Sequence, residues 1–225
     1  MAGMTYTYDY PHPAVAVDIA VFTVENDGLA VLLIQRAAEP FRHYWALPGG
    51  FVGPAESLKR AAWRELREET GVQAGFLEQF GAFGRPDRDP RERVISIAYY
   101  ALIPRERLTI RAASDAVAAH LFDVGQLPEL AFDHATILRR ARERIRERWD
   151  DAVVALQLMP ASFTLSELQC AQELMRGAPL DKSNFRRRIL ATDLIEPTGE
   201  TRRSGQHRPA ALFRVRHSRD TPYRR

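Results

Sequence analysis

Residues 50–72 read GFVGPAESLKRAAWRELREETGV, and this stretch decides the first half of the chain. From Glu56 to Thr70 it lacks Gly and Pro after its first residues and is rich in Ala, Leu, Glu and Arg. It therefore predicts a helix over Glu56–Thr70, ended by Gly71, which takes a left-handed conformation without penalty. On that helix Glu65 stands three residues before Glu68 and four before Glu69, so the three carboxylates share one side. Clustered like charges destabilise a helix unless something neutralises them, and hard divalent cations such as Mg²⁺ or Mn²⁺ prefer oxygen ligands. A cation held there can bridge phosphate oxygens and polarise an attacking water. Arg64, four residues before Glu68, can hold that carboxylate in place, and Glu56 can pair with Arg64 from the helix start. The Gly49-Gly50 turn lets the backbone come close, so the Gly50 carbonyl can complete the coordination.

Outward from this helix, Ala14–Val24 (AVAVDIAVFTV) and Leu29–Gln35 (LAVLLIQ) are β-branched, apolar runs that predict two strands. Asp27-Gly28 between them predicts a hairpin, with Gly supplying the positive φ. Arg93–Ile103 predicts a long strand and His120–Val124 a short one. His134–Trp149 predicts a second helix, with Ile137, Ala141, Ile145 and Trp149 recurring every four residues against Arg and Glu faces. Ahead of the long strand, Phe83–Arg91 mixes Arg85, Arg88 and Arg91 with Asp87 and Asp89, a composition that can bind pyrophosphate. It can also supply a carboxylate base, for which Asp87, Asp89 and Glu92 are the candidates. Arg36, leaving the second strand, is placed to contact a phosphate or ribose. His134 reads as a structural or capping residue rather than a catalyst.

The pattern changes after Asp150–Pro160, which reads as a boundary between residues 1–150 and 151–225. Thr164-Leu165-Ser166-Glu167 is a capping box, and its helix runs to about Arg176 before Gly177. Asp181 caps a second helix, Lys182–Ala191. Two strands around Leu194–Glu196 and Ala211–Val215 follow, joined by a basic loop, Pro197–Pro209. Helix, turn, helix and hairpin are the order of a winged helix-turn-helix. Phe185 and Ile189 form its inward stripe. Lys182, Ser183, Asn184, Arg186, Arg187 and Arg188 are then left to face DNA, where Asn and Arg make paired hydrogen bonds to base edges. Arg202, Arg203, His207 and Arg208 of the wing would face phosphates or the minor groove.

Charge agrees with that division. Residues 151–225 carry 13 Lys and Arg against 8 Asp and Glu, while residues 1–150 carry 19 against 21. A near-neutral body with a basic end suits a polyanionic partner at that end. The composition, 45% hydrophobic and 27% charged, excludes collagen-like and wholly disordered chains. No apolar run is long enough for a membrane span, and the N-terminus does not read as a secretory signal. The single cysteine, Cys170, has no intramolecular partner, which suits a reducing cytoplasm.

Gly50, Glu56, Arg64-Glu65-Leu66, Glu68-Glu69 and Gly71-Val72 together resemble the Nudix hydrolase signature at every fixed position. The resemblance implies the Nudix α/β/α sandwich, an α/β (α+β) fold, over residues 1–150, and a nucleoside-diphosphate-linked substrate. It implies Glu65, Glu68, Glu69 and the Gly50 carbonyl as Mg²⁺ (or Mn²⁺) ligands, with Arg64 and Glu56 orienting them. The Phe83–Arg91 and Leu130–His134 segments resemble the ADP-ribose branch, which places Arg85, Arg88 and Asp89 at the ligand beside Arg36. A Nudix domain followed by FTLSELQ, LDKSNFRRRIL and TGETRRSGQHRPAALFRV is similar to the Nudix-related transcriptional regulator (NrtR) family. That family implies a homodimeric repressor of NAD biosynthesis or salvage genes, released from operator DNA by ADP-ribose. A dimer sets two recognition helices about one DNA turn (~34 Å) apart and expects a palindromic site. Because the whole signature survives, the ingredients for hydrolysing ADP-ribose to AMP and ribose 5-phosphate are present. The alternative implied is thus a Mg²⁺-dependent ADP-ribose pyrophosphatase with an accessory basic domain.

Overall fold

The structure, a computed structural model, describes residues 7–71, 75–108, 110, 116–203 and 209–216. In chain order the first half runs β1 (Ala14–Glu25), β2 (Gly28–Arg36), β3 (Trp45–Ala46), β4 (Gly49–Phe51), α1 (Leu58–Thr70), β5 (Leu77–Phe83), β6 (Val94–Leu102), β7 (Ala116–Asp123) and α2 (His134–Glu147). The second half runs α3 (Ala152–Ala155), β8 (Phe163–Thr164), α4 (Leu165–Arg176), α5 (Lys182–Leu190), β9 (Ile195–Arg202) and β10 (Ala210–Val215).

β1 is the axis of a seven-stranded mixed sheet. It pairs in parallel with β6 over Ala14–Phe22, while its other edge is divided between β4 and β2. A strand flanked on both edges and covered on both faces must be apolar almost throughout, which is why AVAVDIAVFTV does not alternate with polar residues. Its side chains still alternate by face. Val17, Ile19 and Val21 pack under α1 with Ala61, Ala62 and Leu66. Ala20 and Phe22 pack under α2 with Ile137, Leu138, Ala141 and Ile145. The result is the expected α/β/α sandwich.

The second cluster does not stop at α2. It continues through Val154, Ala155, Leu156, Leu158 and Met159 into Leu165, Leu168, Ala171 and Met175 of α4 and Phe185 and Ile189 of α5. Within residues 151–160, which lack a long periodic pattern, Val154, Ala155, Leu156, Leu158 and Met159 are therefore apolar because they are buried in this shared core. β8, β10 and β9 complete the wing as a small antiparallel sheet. Among the described residues, no helix is long and apolar enough to cross a membrane.

Several elements depart from the sequence expectation, each for a local reason. The first hairpin turns at Asn26 and Asp27, both at positive φ, with Glu25 opposite Gly28. Gly28 is thus already in β2, and the left-handed positions fall on the residue types that tolerate them best after glycine. Helix α1 starts at Leu58 behind the Ser57 cap, whose hydroxyl accepts from the Arg60 N–H. Glu56 precedes the helix instead of beginning it. Gly49-Gly50 lies in β4 rather than in a turn. Trp149 falls beyond α2. Pro197–Arg202, read as loop, is strand. The short strands β3 and β4 and the strand β5 leave no strong sequence signal, because their burial comes from neighbours rather than from an apolar run.

Candidate functional site

A cavity of about 390 Å³ opens where β1, β4 and the start of α2 meet the Phe83–Arg91 loop. Arg36, Arg88 and Arg91 supply its cations, Asp18, Glu39 and Asp89 its acids, and Phe51 and Phe132 its aromatic surfaces. Phe132 adopts φ 53°, a conformation a bulky residue rarely takes. Its ring lies 4.8 Å from the Arg36 guanidinium carbon and 5.7 Å from that of Arg91. Arg91 also stacks over Phe51 at 5.5 Å.

The floor is a buried ion network. Arg88, 4% exposed in its side chain, forks onto Asp133 at 2.7 and 3.1 Å and donates to Asp18 at 3.1 Å. Asp18 also accepts from the Ser96 hydroxyl at 2.5 Å, and His134 Nε2 lies 3.3 Å from it. His134 Nδ1 accepts the Leu47 N–H at 3.0 Å, so its proton sits on Nε2 and points at Asp18. His134 thus ties the start of α2 to Leu47 and to the cavity floor. Burial works to raise the Asp18 pKa, but His134, Ser96 and Arg88 outweigh it and bring the carboxyl down to about 2. Asp89 is turned to Arg91, with contacts of 2.7 and 3.0 Å; burial works to raise its pKa, but the hydrogen bonds and charge of Arg91 outweigh it and hold the carboxyl below its usual value.

The helix signature folds against one edge of this cavity. Arg64 reaches Glu56 at 2.5 and 3.1 Å, Glu65 at 2.6 Å, Glu68 at 3.2 Å and the Phe51 carbonyl at 3.0 Å. Glu56 in turn accepts the Gly53 N–H at 2.7 Å, and the bond from Arg64 lowers its pKa to about 2. Glu65 is buried, and that burial raises its pKa against the pull of Arg64. A methyl placed on Gly50 would stand 2.4 Å from a Glu65 oxygen, and one on Gly49 2.2 Å from the Val17 carbonyl. Glycine is required at Gly49, where the clash is with backbone, while a side chain at Gly50 would displace the Glu65 carboxylate. The side chain of Glu69, along with Val72, lies outside the described residues. Among the described residues no three His, Cys, Asp or Glu side chains are grouped to hold a metal. Glu65 and Glu68, gathered on one guanidinium beside Gly50, are hard oxygen donors of the type a divalent cation takes.

The second constellation is the face of α5. Lys182, Ser183, Asn184, Arg186, Arg187 and Arg188 are exposed, while Phe185 and Ile189 are buried. Asp181 caps the helix through the Asn184 N–H at 2.8 Å. Arg187 donates to the Asn184 side chain at 2.8 Å, holding two base-reading types together. Arg188, though exposed, leans toward the rest of the molecule, donating to the buried Gln172 at 2.8 Å and stacking on Trp149. Arg202 reaches Glu167 at 2.8 Å and the Ser162 carbonyl at 3.0 Å, tying the wing to the capping box of α4. Arg203 is exposed; His207 and Arg208 lie outside the described residues.

Comparison with known proteins bears on both halves. Residues 12–141 match the NUDIX domain, and residues 155–215 match the NrtR DNA-binding winged helix domain. The ADPR responsive transcriptional repressor NtrR of Acinetobacter baylyi is 38% identical over 210 residues, covering 92% of this chain and 83% of that protein. The chain belongs to the NrtR family. The crystal structure of Shewanella oneidensis NrtR complexed with a 27mer DNA superposes with a TM-score of 0.80 at 33% identity, over 90% of this chain and 93% of that one. The NUDIX domain of the same protein complexed with ADP ribose gives 0.56 at 34% identity, over 61% and 94%.

Against this family background, the cavity gathers Gly50, Arg36, Arg88 and Asp89 of the residues singled out from sequence. Arg85 stands apart from its walls, 76% exposed and paired with Asp87 at 2.7 Å. Sequence reading missed Asp18, Phe51, Phe132 and Asp133 as site residues. A lone acid within the apolar run of β1 is a signal that could have found Asp18, since a buried carboxylate needs a partner. Asp133 gave no such signal, because its partner lies 45 positions away.

Proposed function

We propose that this protein is a transcriptional repressor that binds operator DNA through its winged helix and is released by ADP-ribose bound in the Nudix half. The carrying observation is the cavity. Three arginines, two aromatic rings and a hydrogen-bonded acidic floor, on an NrtR-family chain, suit a pyrophosphate flanked by two sugar-borne groups. Residues 1–150 would hold the nucleotide and residues 151–225 the DNA. Arg36, Arg88 and Arg91 would take the phosphates. Lys182, Ser183, Asn184, Arg186, Arg187 and Arg203 would meet the DNA. A homodimer reading a palindrome in the cytoplasm, and target genes of NAD metabolism, fit this role. The test is a gel shift on the chain's own upstream DNA. Retardation that ADP-ribose reverses is the expected result, and retardation that ignores it refutes the reading.

A second reading rests on the assembled Arg64–Glu56–Glu65–Glu68 network. Glu65, Glu68 and Glu69 with the Gly50 carbonyl would hold Mg²⁺ or Mn²⁺, which supplies charge neutralisation and an activated water. Arg64 and Glu56 keep the carboxylates aimed. The chain would then also cleave ADP-ribose to AMP and ribose 5-phosphate. Turnover of ADP-ribose with Mg²⁺, lost in Glu69→Gln, is expected on this reading; absence of turnover removes it.

A further inference from the structure

Helix α2 is keyed at both ends to different parts of the molecule. At its start, Asp133 holds the N-cap position yet makes no capping bond with its side chain. Both of its carboxylate oxygens go to Arg88 in the cavity floor. The next residue, His134, is fastened to Leu47 and faces Asp18. Beyond its other end, the Trp149 ring carries two guanidinium groups of the winged helix. Arg176 of α4 sits 4.7 Å and Arg188 of α5 5.2 Å from the indole centre. Arg188 is at the same time bonded to Gln172, which is 1% exposed. Fourteen helical residues at about 1.5 Å each span about 21 Å. Along that length Ile137, Ala141 and Ile145 are sealed in the core and Arg144 is bridged to Glu78 of β5, as is Arg148 just past the helix end.

From this arrangement we infer that Trp149 is the positioning residue through which ADP-ribose bound in the cavity alters the setting of the recognition helix. The inference rests on the functional reading above. An anionic ligand competes with Asp133 and Asp18 for the Arg88 guanidinium. Asp133 belongs to the start of α2, so any change in that pair is a change in how α2 is seated. A packed helix transmits displacement along its axis rather than absorbing it. At the far end the indole contacts Arg188, one turn beyond Asn184, so the recognition helix is reseated with it. Helix α5 does not need Trp149 to fold, since Phe185 and Ile189 anchor it. Coupling is a difference in binding between two states, so it can be lost while each ligand still binds.

The experiment measures DNA affinity of the full chain with and without saturating ADP-ribose, and ADP-ribose affinity by calorimetry, for wild type, Trp149→Leu and Trp149→Phe. Couplings of this kind range from about 5- to 150-fold. In Trp149→Leu the ADP-ribose-induced weakening of DNA binding should fall by at least about fivefold. DNA affinity without nucleotide and nucleotide affinity without DNA should stay within about threefold of wild type. Trp149→Phe, which keeps a ring for the guanidinium groups, should retain most of the response. Equal responses in wild type and Trp149→Leu overturn the inference and leave the repressor reading standing. Loss of DNA binding itself in Trp149→Leu also overturns it, by making Trp149 a support of α5. A wild type whose DNA binding ignores ADP-ribose overturns both.

Discussion

Arg88 and Asp133 form a two-pronged ion pair across 45 positions of sequence, with Nη2 to Oδ1 at 2.7 Å and Nε to Oδ2 at 3.1 Å. Fork-on-fork geometry fixes both planes at once, so the pair locates the Phe83–Arg91 loop against the start of α2. It holds the arginine where a pyrophosphate would need it, and it prevents Asp133 from capping its own helix.

Breaking that pair should be costly, because Arg88 is left with a single acidic partner. Asp133→Asn is expected to lower stability by about 3 kcal/mol, the range found when one member of a buried pair is removed. Urea unfolding measures this. A loss below about 1 kcal/mol would show that Arg88 finds another acceptor.

Acid should weaken the fold through Asp18. Its pKa is about 2 in the folded chain against 3.8 for the free group, so the unfolded state binds more protons between those values. The stabilisation is therefore complete above about pH 4 and is lost as pH falls through about 2, with a size on the order of 2 kcal/mol. Stability followed by urea titration from pH 5 to pH 2 checks it. Asp18→Asn should flatten that limb, whatever it does to stability at neutral pH.

Divalent metal should stabilise the chain by mass action, since a folded-state ligand at 100 times its dissociation constant adds about 2.7 kcal/mol. A Mg²⁺-dependent rise in Tm is expected, and Glu65→Gln should abolish it. A rise of equal size in the variant would place the metal elsewhere.

Salt dependence distinguishes the arginines of the reader. Each phosphate contact removed lowers the slope of log affinity against log salt by about one. Arg186→Ala is expected to do so. Arg202 already shares its charge with Glu167 at 2.8 Å, so Arg202→Ala should change the slope by less than half as much. Equal changes would mean the Arg202–Glu167 pair opens on DNA.

The sequence by itself determined what depends on neighbours along the chain. The Thr164–Glu167 capping box, the left-handed stops at Gly71 and Gly177 and the buried stripe of Phe185 and Ile189 all follow from spacings of three to four residues. So does the bond from Arg64 to Glu68, while the apolar, β-branched run of β1 marks a strand by composition. Only the tertiary structure decided which charges are spent inside the molecule. Arg85 and Arg88 stand three residues apart in one loop, yet one is exposed and the other is clasped by Asp18 and Asp133. Arg187 and Arg188 are adjacent and both exposed, yet one is bonded to Asn184 of its own helix and the other to Gln172 and the Trp149 ring of other elements. Local pattern places an arginine on a helix or loop, but its partner comes from a distant strand or helix, and the cost of burying a charge makes that partner decide its role.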